Sequence, residues 1–69
     1  MLPKLPEAGR IVTAWDMLTQ RYRTGIVQHW HNHDQRGFVL FSDTGARITS
    51  MYDDAEWKYV DEPKGGVIG

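Results

Sequence analysis

Three histidines alternate in one short stretch of this 69-residue chain: His29, His31 and His33. In an extended strand alternate side chains share a face, so His29 and His31 could ligate one metal ion, with His33 or Asp34 as a third ligand. His33, however, falls where a turn must break the alternation. No carboxylate is placed to orient the rings, as metal-binding imidazoles require. A solvated hairpin tip is the simpler expectation, and neither a metal nor a cofactor is assigned. Ser42 and Ser50 lie in no nucleophile-elbow pattern, and no glycine loop leads into a helix to cradle phosphate. Carboxylates are paired only in turns. No catalytic set emerges, and a chain this short offers little water-excluding volume unless it assembles.

Aromatic and arginine side chains carry the remaining chemistry. Three Trp, three Tyr and two Phe make 12% of the chain, more rings than the centre of so small a core can hold. Trp15, Trp30 and Tyr52 are expected on an exposed surface, where rings stack on bases, hold a proline-rich peptide or cage a cation. Trp57 and Val60 are assigned to structure. Arg21, Arg23, Arg36 and Arg47 would form a basic rim beside those rings, since the guanidinium fork recognises carboxylates and phosphates and stacks on rings. A solvated polar face is the competing reading, favoured by the net charge of −1. The run Asp53-Asp54-Ala55-Glu56 is either a dock for a basic partner or a solvated loop.

Composition bounds what these residues can belong to. One small domain buries roughly 60% of the surface its unfolded chain exposes, and 41% hydrophobic with 25% charged residues is ordinary for a globular protein. Cysteine is absent, which excludes disulfide staples and thiolate metal sites. No apolar run approaches a membrane span and the start lacks a signal-peptide core, so a cytoplasmic protein without membrane contact is expected. Residues 1–36 carry an excess of two positive charges and residues 37–69 an excess of three negative ones. A pI near 6.2 argues against a strongly electrostatic nucleic-acid binder.

The pattern along the chain is that of strands and turns. Residues 1–9, with Pro3 and Pro6, read as a flexible lead-in. Arg10 to Trp15 is a first strand, with Ile11, Thr13 and Trp15 on one face and Val12 and Ala14 on the other. Asp16 to Arg21 reads as a long loop or one helical turn. Tyr22 to Trp30 and Gly37 to Ser42 flank a polar break and form the central antiparallel hairpin, with Gly25 marking a bulge or close backbone crossing. Asp43-Thr44-Gly45 is a turn, Ala46 to Tyr52 a fourth strand and Asp53 to Glu56 a 3₁₀-like break. Trp57 to Asp61 is the last strand, and 62–69 a flexible tail. Five short strands predict a closed barrel over residues 10–61, because an open sheet leaves two edges and an uncovered face.

The first strand, Thr24-Gly25-Ile26-Val27, Phe38–Phe41, the Asp43-Thr44-Gly45 turn and Trp57-Lys58-Tyr59-Val60 together resemble the SH3-like barrels, among them the Tudor and KOW domains. The implied fold is all-β: a small five-stranded SH3-like barrel with a long first loop and a 3₁₀-like turn before the last strand. Ile48-Thr49-Ser50-Met51-Tyr52 also resembles the active-pore strand of the type II dihydrofolate reductases, with Ser50 where that family carries glutamine. That likeness implies architecture and self-assembly more than chemistry.

The leading expectation is a non-catalytic module that recognises a protein partner through Trp15, Arg21, Arg23, Trp30, Arg36, Arg47 and Tyr52. By analogy with small phage and accessory proteins of this build, it would serve as an adaptor or inhibitor. RNA or DNA binding through the same residues is the alternative. An enzyme whose site forms at the centre of a homo-oligomer is the third reading.

Overall fold

A computed structural model describes residues 4–60. The chain forms five antiparallel strands, β1 (Ile11–Asp16), β2 (Arg21–His31), β3 (Arg36–Phe41), β4 (Arg47–Tyr52) and β5 (Trp57–Tyr59). They make one sheet in the order β4-β3-β2-β1-β5, with no helix among the described residues. No segment there is a helix long and apolar enough to cross a membrane. The expected all-β class and its five strands are present, each within a residue or two of its expected bounds. Residues 61–69, which include the expected flexible tail, lie outside the described residues.

β2 organises the sheet because its two halves have different partners. Its first half pairs with β1, from Asp16↔Arg21 to Ile11↔Ile26. Its second half pairs with β3, from Ile26↔Phe41 to His31↔Arg36. The sheet curls where the halves meet, at Gly25 and Ile26. A Cβ on Gly25 would stand 2.9 Å from the Leu40 Cβ, 2.9 Å from the Phe41 carbonyl oxygen and 3.0 Å from Ile48 Cδ1. Glycine is therefore required there by close approach rather than by a special φ. The curl brings β4 toward β1: Thr49 Oγ1 donates to Asp16 Oδ2 at 3.2 Å, although two strands, β3 and β2, lie between them in the sheet.

The concave face holds the core. Val12, Ala14, Val27, Phe38, Leu40 and Met51 are buried there, with Leu5, Ile48, Ala55, Trp57 and Tyr59 packed against them. Each large aliphatic or aromatic side chain so buried contributes about 1.5–3 kcal/mol. Trp57 thus takes the structural place expected of it, whereas Val60 is 52% exposed. At the bulge between Leu40 and Phe41, Thr49 faces Leu40 while Arg47 faces Phe41, leaving Ile48 as the extra residue.

The described part of the lead-in, residues 4–10, has no regular element, yet it closes one mouth of this core. Pro6 is buried, its carbonyl lies 2.6 Å from His29 Nε2, and the Trp57 indole N–H donates to the Lys4 carbonyl. Glu7 N–H donates to the Tyr59 hydroxyl, and the Arg10 guanidinium stacks 3.7 Å above the Tyr59 ring. Gly9, at φ +90°, and Arg10 both bond to Val27, forming a bulge that turns the chain into β1.

Two expectations need correction. The first loop is short: Met17 to Gln20 is a tight turn in which Gln20 N–H donates to the Asp16 carbonyl and Leu18 N–H to Asp16 Oδ1. The Asp16 carboxylate satisfies the turn locally, so no long excursion is needed. Nor does the sheet close among the described residues. β4 and β5 stay as its two margins, because β5 pairs with β1 over only three residues. The turn before β5 is nearer its expected form, with one i→i+3 bond from Ala55 N–H to the Tyr52 carbonyl.

Gly25→Ala should lower stability by about 1–3 kcal/mol, since backbone on β3 must give way to the added methyl. Urea unfolding would measure it; an unchanged midpoint would contradict the proposed crossing.

Candidate functional site

Strand alternation puts the side chains not used in the core on the convex face. Trp15 beside Tyr22 forms one end of that face, followed by Thr13 beside Thr24. Ile11, Ile26 and Phe41 lie across its middle, then Gln28, Val39 and Ser50, and finally Trp30, Gly37 and Tyr52. Charged side chains stand only at the ends of these rows, Lys58 of β5 beside Thr13 and Arg47 at the β4 bulge beside Phe41. Tyr22, Tyr52 and Ile11 are 53%, 54% and 37% exposed. Trp15, Trp30, Ile26, Val39 and Phe41 are half-buried. All three aromatics expected on a surface therefore share one face.

Each end of the face is an edge-to-face aromatic pair. Trp15 and Tyr22 have ring centroids 4.9 Å apart, and Trp30 and Tyr52 5.6 Å apart. Such pairs contribute about 0.5–1.5 kcal/mol beyond area burial. The pairs lie eight residues apart on β2, roughly 26 Å along the strand. Gly37 supports the second pair: a Cβ there would stand 2.7 Å and 2.9 Å from Trp30 Cζ2 and Cε2, so the indole lies over bare backbone. The same placement buries the Trp30 indole N–H with no acceptor among the described residues, an arrangement that costs about 1–3 kcal/mol. Tyr22 donates to Glu56 Oε2 at 2.9 Å. That hydrogen bond, the negative charge of Glu56 and partial burial push the Tyr22 phenol up from its ordinary pKa.

The four arginines do not join the aromatics as a rim. Arg21, Arg23 and Arg36 alternate onto the other face of the sheet, and the first two lie at the opposite end of β2 from the strand end that Arg36 faces. Arg23 Nη1 is 3.4 Å from Asp16 Oδ2, and Arg36 Nε is 3.3 Å from Asp53 Oδ2. Sequence reasoning missed both carboxylates because they stand at turn boundaries, where acids are ordinarily solvated. Arg21 and Arg47 are exposed and far apart in the ladder.

Asp16 was likewise expected only as the start of the first loop. It is only 6% exposed and gathers Leu18 N–H, Thr49 Oγ1 and Arg23 around one carboxylate. Burial opposes its ionisation. The Leu18 N–H, the Thr19 and Thr49 hydroxyls and the Thr19 N–H outweigh it and hold the carboxyl below its ordinary value.

The histidines do not converge. His29 is engaged with the Pro6 carbonyl, His33 lies 3.6 Å from Asp34, and no group of three ligating side chains forms among the described residues. An open polar groove of about 590 Å³ runs between His31–Arg36 and Tyr52–Asp54, with the Arg36–Asp53 ion pair on its wall. A second depression of about 400 Å³ lies beside Tyr22, Glu56 and Lys58. In comparisons with known proteins, no family model, curated protein or solved structure matches this chain.

Because the folded-state pKa of Asp16 lies below the ordinary 3.8, its carboxylate contributes stability above that value, and the contribution is lost as pH falls through the folded value. Asp16→Asn should therefore melt lower than wild type at neutral pH, with the gap closing in acid. Thermal unfolding against pH measures this, and a gap constant down to the most acidic buffers would contradict it.

Proposed function

We propose that this chain is a non-catalytic protein-docking module whose contact surface is the convex face from Trp15 and Tyr22 to Trp30 and Tyr52. One observation carries the reading: the inner positions of that face hold aromatic, aliphatic and small polar side chains, while the charged Lys58 and Arg47 stand at the ends of its rows. Aromatic enrichment with charge depletion at the centre and a polar rim is the anatomy of a protein interface. The partner it fits presents an apolar, ring-bearing segment with few charges. Such partners gain affinity from a few large anchors, here the two aromatic pairs.

The arginines of the sequence-based expectation take a smaller part. Arg23 and Arg36 are held by carboxylates on the other face, so a phosphate backbone would find no row of cations beside the rings. An SH3-like ancestry of the open sheet is supported by its meander of four strands, by β5 returning to β1, and by the single turn before β5. A cytoplasmic adaptor or inhibitor is the role this combination suits.

The test is capture from lysate on the immobilised chain, compared with a variant carrying Tyr22→Glu and Tyr52→Glu. Both rings are more than half exposed, so the fold should survive, as circular dichroism would verify. A protein retained by wild type, insensitive to nuclease and lost from the variant is the expected result. Equal capture by the two chains, or oligonucleotide binding that collapses with salt, would overturn the reading.

A further inference from the structure

β4 is the long free margin of the sheet. β3 pairs with one side of it, and no backbone hydrogen bond joins its other side to any strand among the described residues. The opposite margin is blunted by brevity, since β5 has three residues. β4 has six, Arg47-Ile48-Thr49-Ser50-Met51-Tyr52, with no proline and with β-branched and aromatic residues that favour pairing. Its charges are distributed unequally: Arg47 stands at its start, and Asp53-Asp54 follow its end. Arg47 and Asp54 are exposed.

We infer that β4 pairs antiparallel with β4 of a second copy of this chain, about a two-fold axis at Ser50. In that register Ser50 faces Ser50 and Thr49 faces Met51, the bulge at Ile48 lies beyond these paired residues, and Arg47 of each copy lies toward the exposed Asp54 of the other. Charge selects the direction. A parallel pairing sets Arg47 beside Arg47 and acid beside acid, whereas the antiparallel one matches unlike ends twice. A strand bearing a cation at one end and anions at the other is self-complementary, as an isologous contact requires. Main-chain hydrogen bonds along the free edge supply the affinity. The two sheets become one of ten strands. This contact uses the edge of the sheet and does not depend on docking at the convex face.

Sedimentation velocity on the full chain from about 1 μM to about 1 mM tests it, a range that covers the weak affinity of a small interface. The expected mass rises with concentration from 8.0 kDa to twice that value. Arg47→Glu and Asp54→Lys should each weaken the dimer about tenfold, since attraction becomes repulsion at two symmetric positions. An equimolar mixture of the two variants should restore it, because their altered ends complement one another. In wild type, hydrogen-exchange protection of β4 amides should grow with concentration. A monomer throughout the range, a dimer indifferent to both substitutions, or a mixture no tighter than either variant would overturn the proposal.

Discussion

The close approach at Gly25 is the constraint on which the structure depends. A strand of eleven residues is long enough to carry partners along both edges for its whole length. Here the backbone of β3 and the side chain of Ile48 come so near Gly25 that a methyl group would not fit. β2 can therefore give its first half to β1 and its second to β3 while both halves enclose the same core. Val12 and Ala14 from one arm meet Phe38, Leu40 and Met51 from the other, and a chain of modest length obtains a dry centre. The core has one side only. Folding the sheet inward commits the concave face to packing and leaves the convex face to solvent or a partner.

Electrostatics follows the same division. Asp16 sits where the two arms converge, with ligating groups from its own turn, from β2 and from β4. A buried carboxylate without such partners would be strongly unfavourable, so its position fixes where Thr49 and Arg23 must lie. Arg36 and Asp53 form a comparable link at the other end of β2, between the central hairpin and the turn after β4. Each pair removes a cation from the set that would otherwise attract an anionic ligand. What remains at the inner positions of the convex face carries no charged side chain, so docking there, as proposed, would rest on shape and apolar area rather than on long-range attraction.

Strands were legible because their residues, Ile11-Val12, Ile26-Val27 and Phe38 to Phe41, are β-branched or aromatic runs bounded by turn formers. Alternation also placed Trp15 opposite to Val12 and Ala14, and Trp30 on the side of Ile26. That three rings from three strands share one face needs the registers Trp15↔Tyr22 and Gly37↔Tyr52, which no local pattern contains. The arginines were misplaced for a related reason. Their partners Asp16 and Asp53 are distant in sequence or hidden as turn residues, so burial and pairing were invisible until the sheet was folded. Asp16 to Arg21 reads as a long loop or one helical turn because so few residues cannot hold a helix alone, whereas the Asp16 carboxylate closes a tight turn. Closure of the barrel is a property of strand length and curl, and the three residues of β5 do not supply it.

The indole N–H resonances of Trp15, Trp30 and Trp57 offer the most direct view of which face is used. Trp15 and Trp30 lie on the convex face, while Trp57 packs against the core and reports on the concave one. An isotope-labelled chain titrated with its captured partner should show shifts at the first two indoles and at the amides of Ile11, Ile26 and Val39, with Trp57 unmoved. Shifts confined to Trp57, Arg23 and Arg36 would place the contact on the other side of the sheet and contradict docking at the convex face.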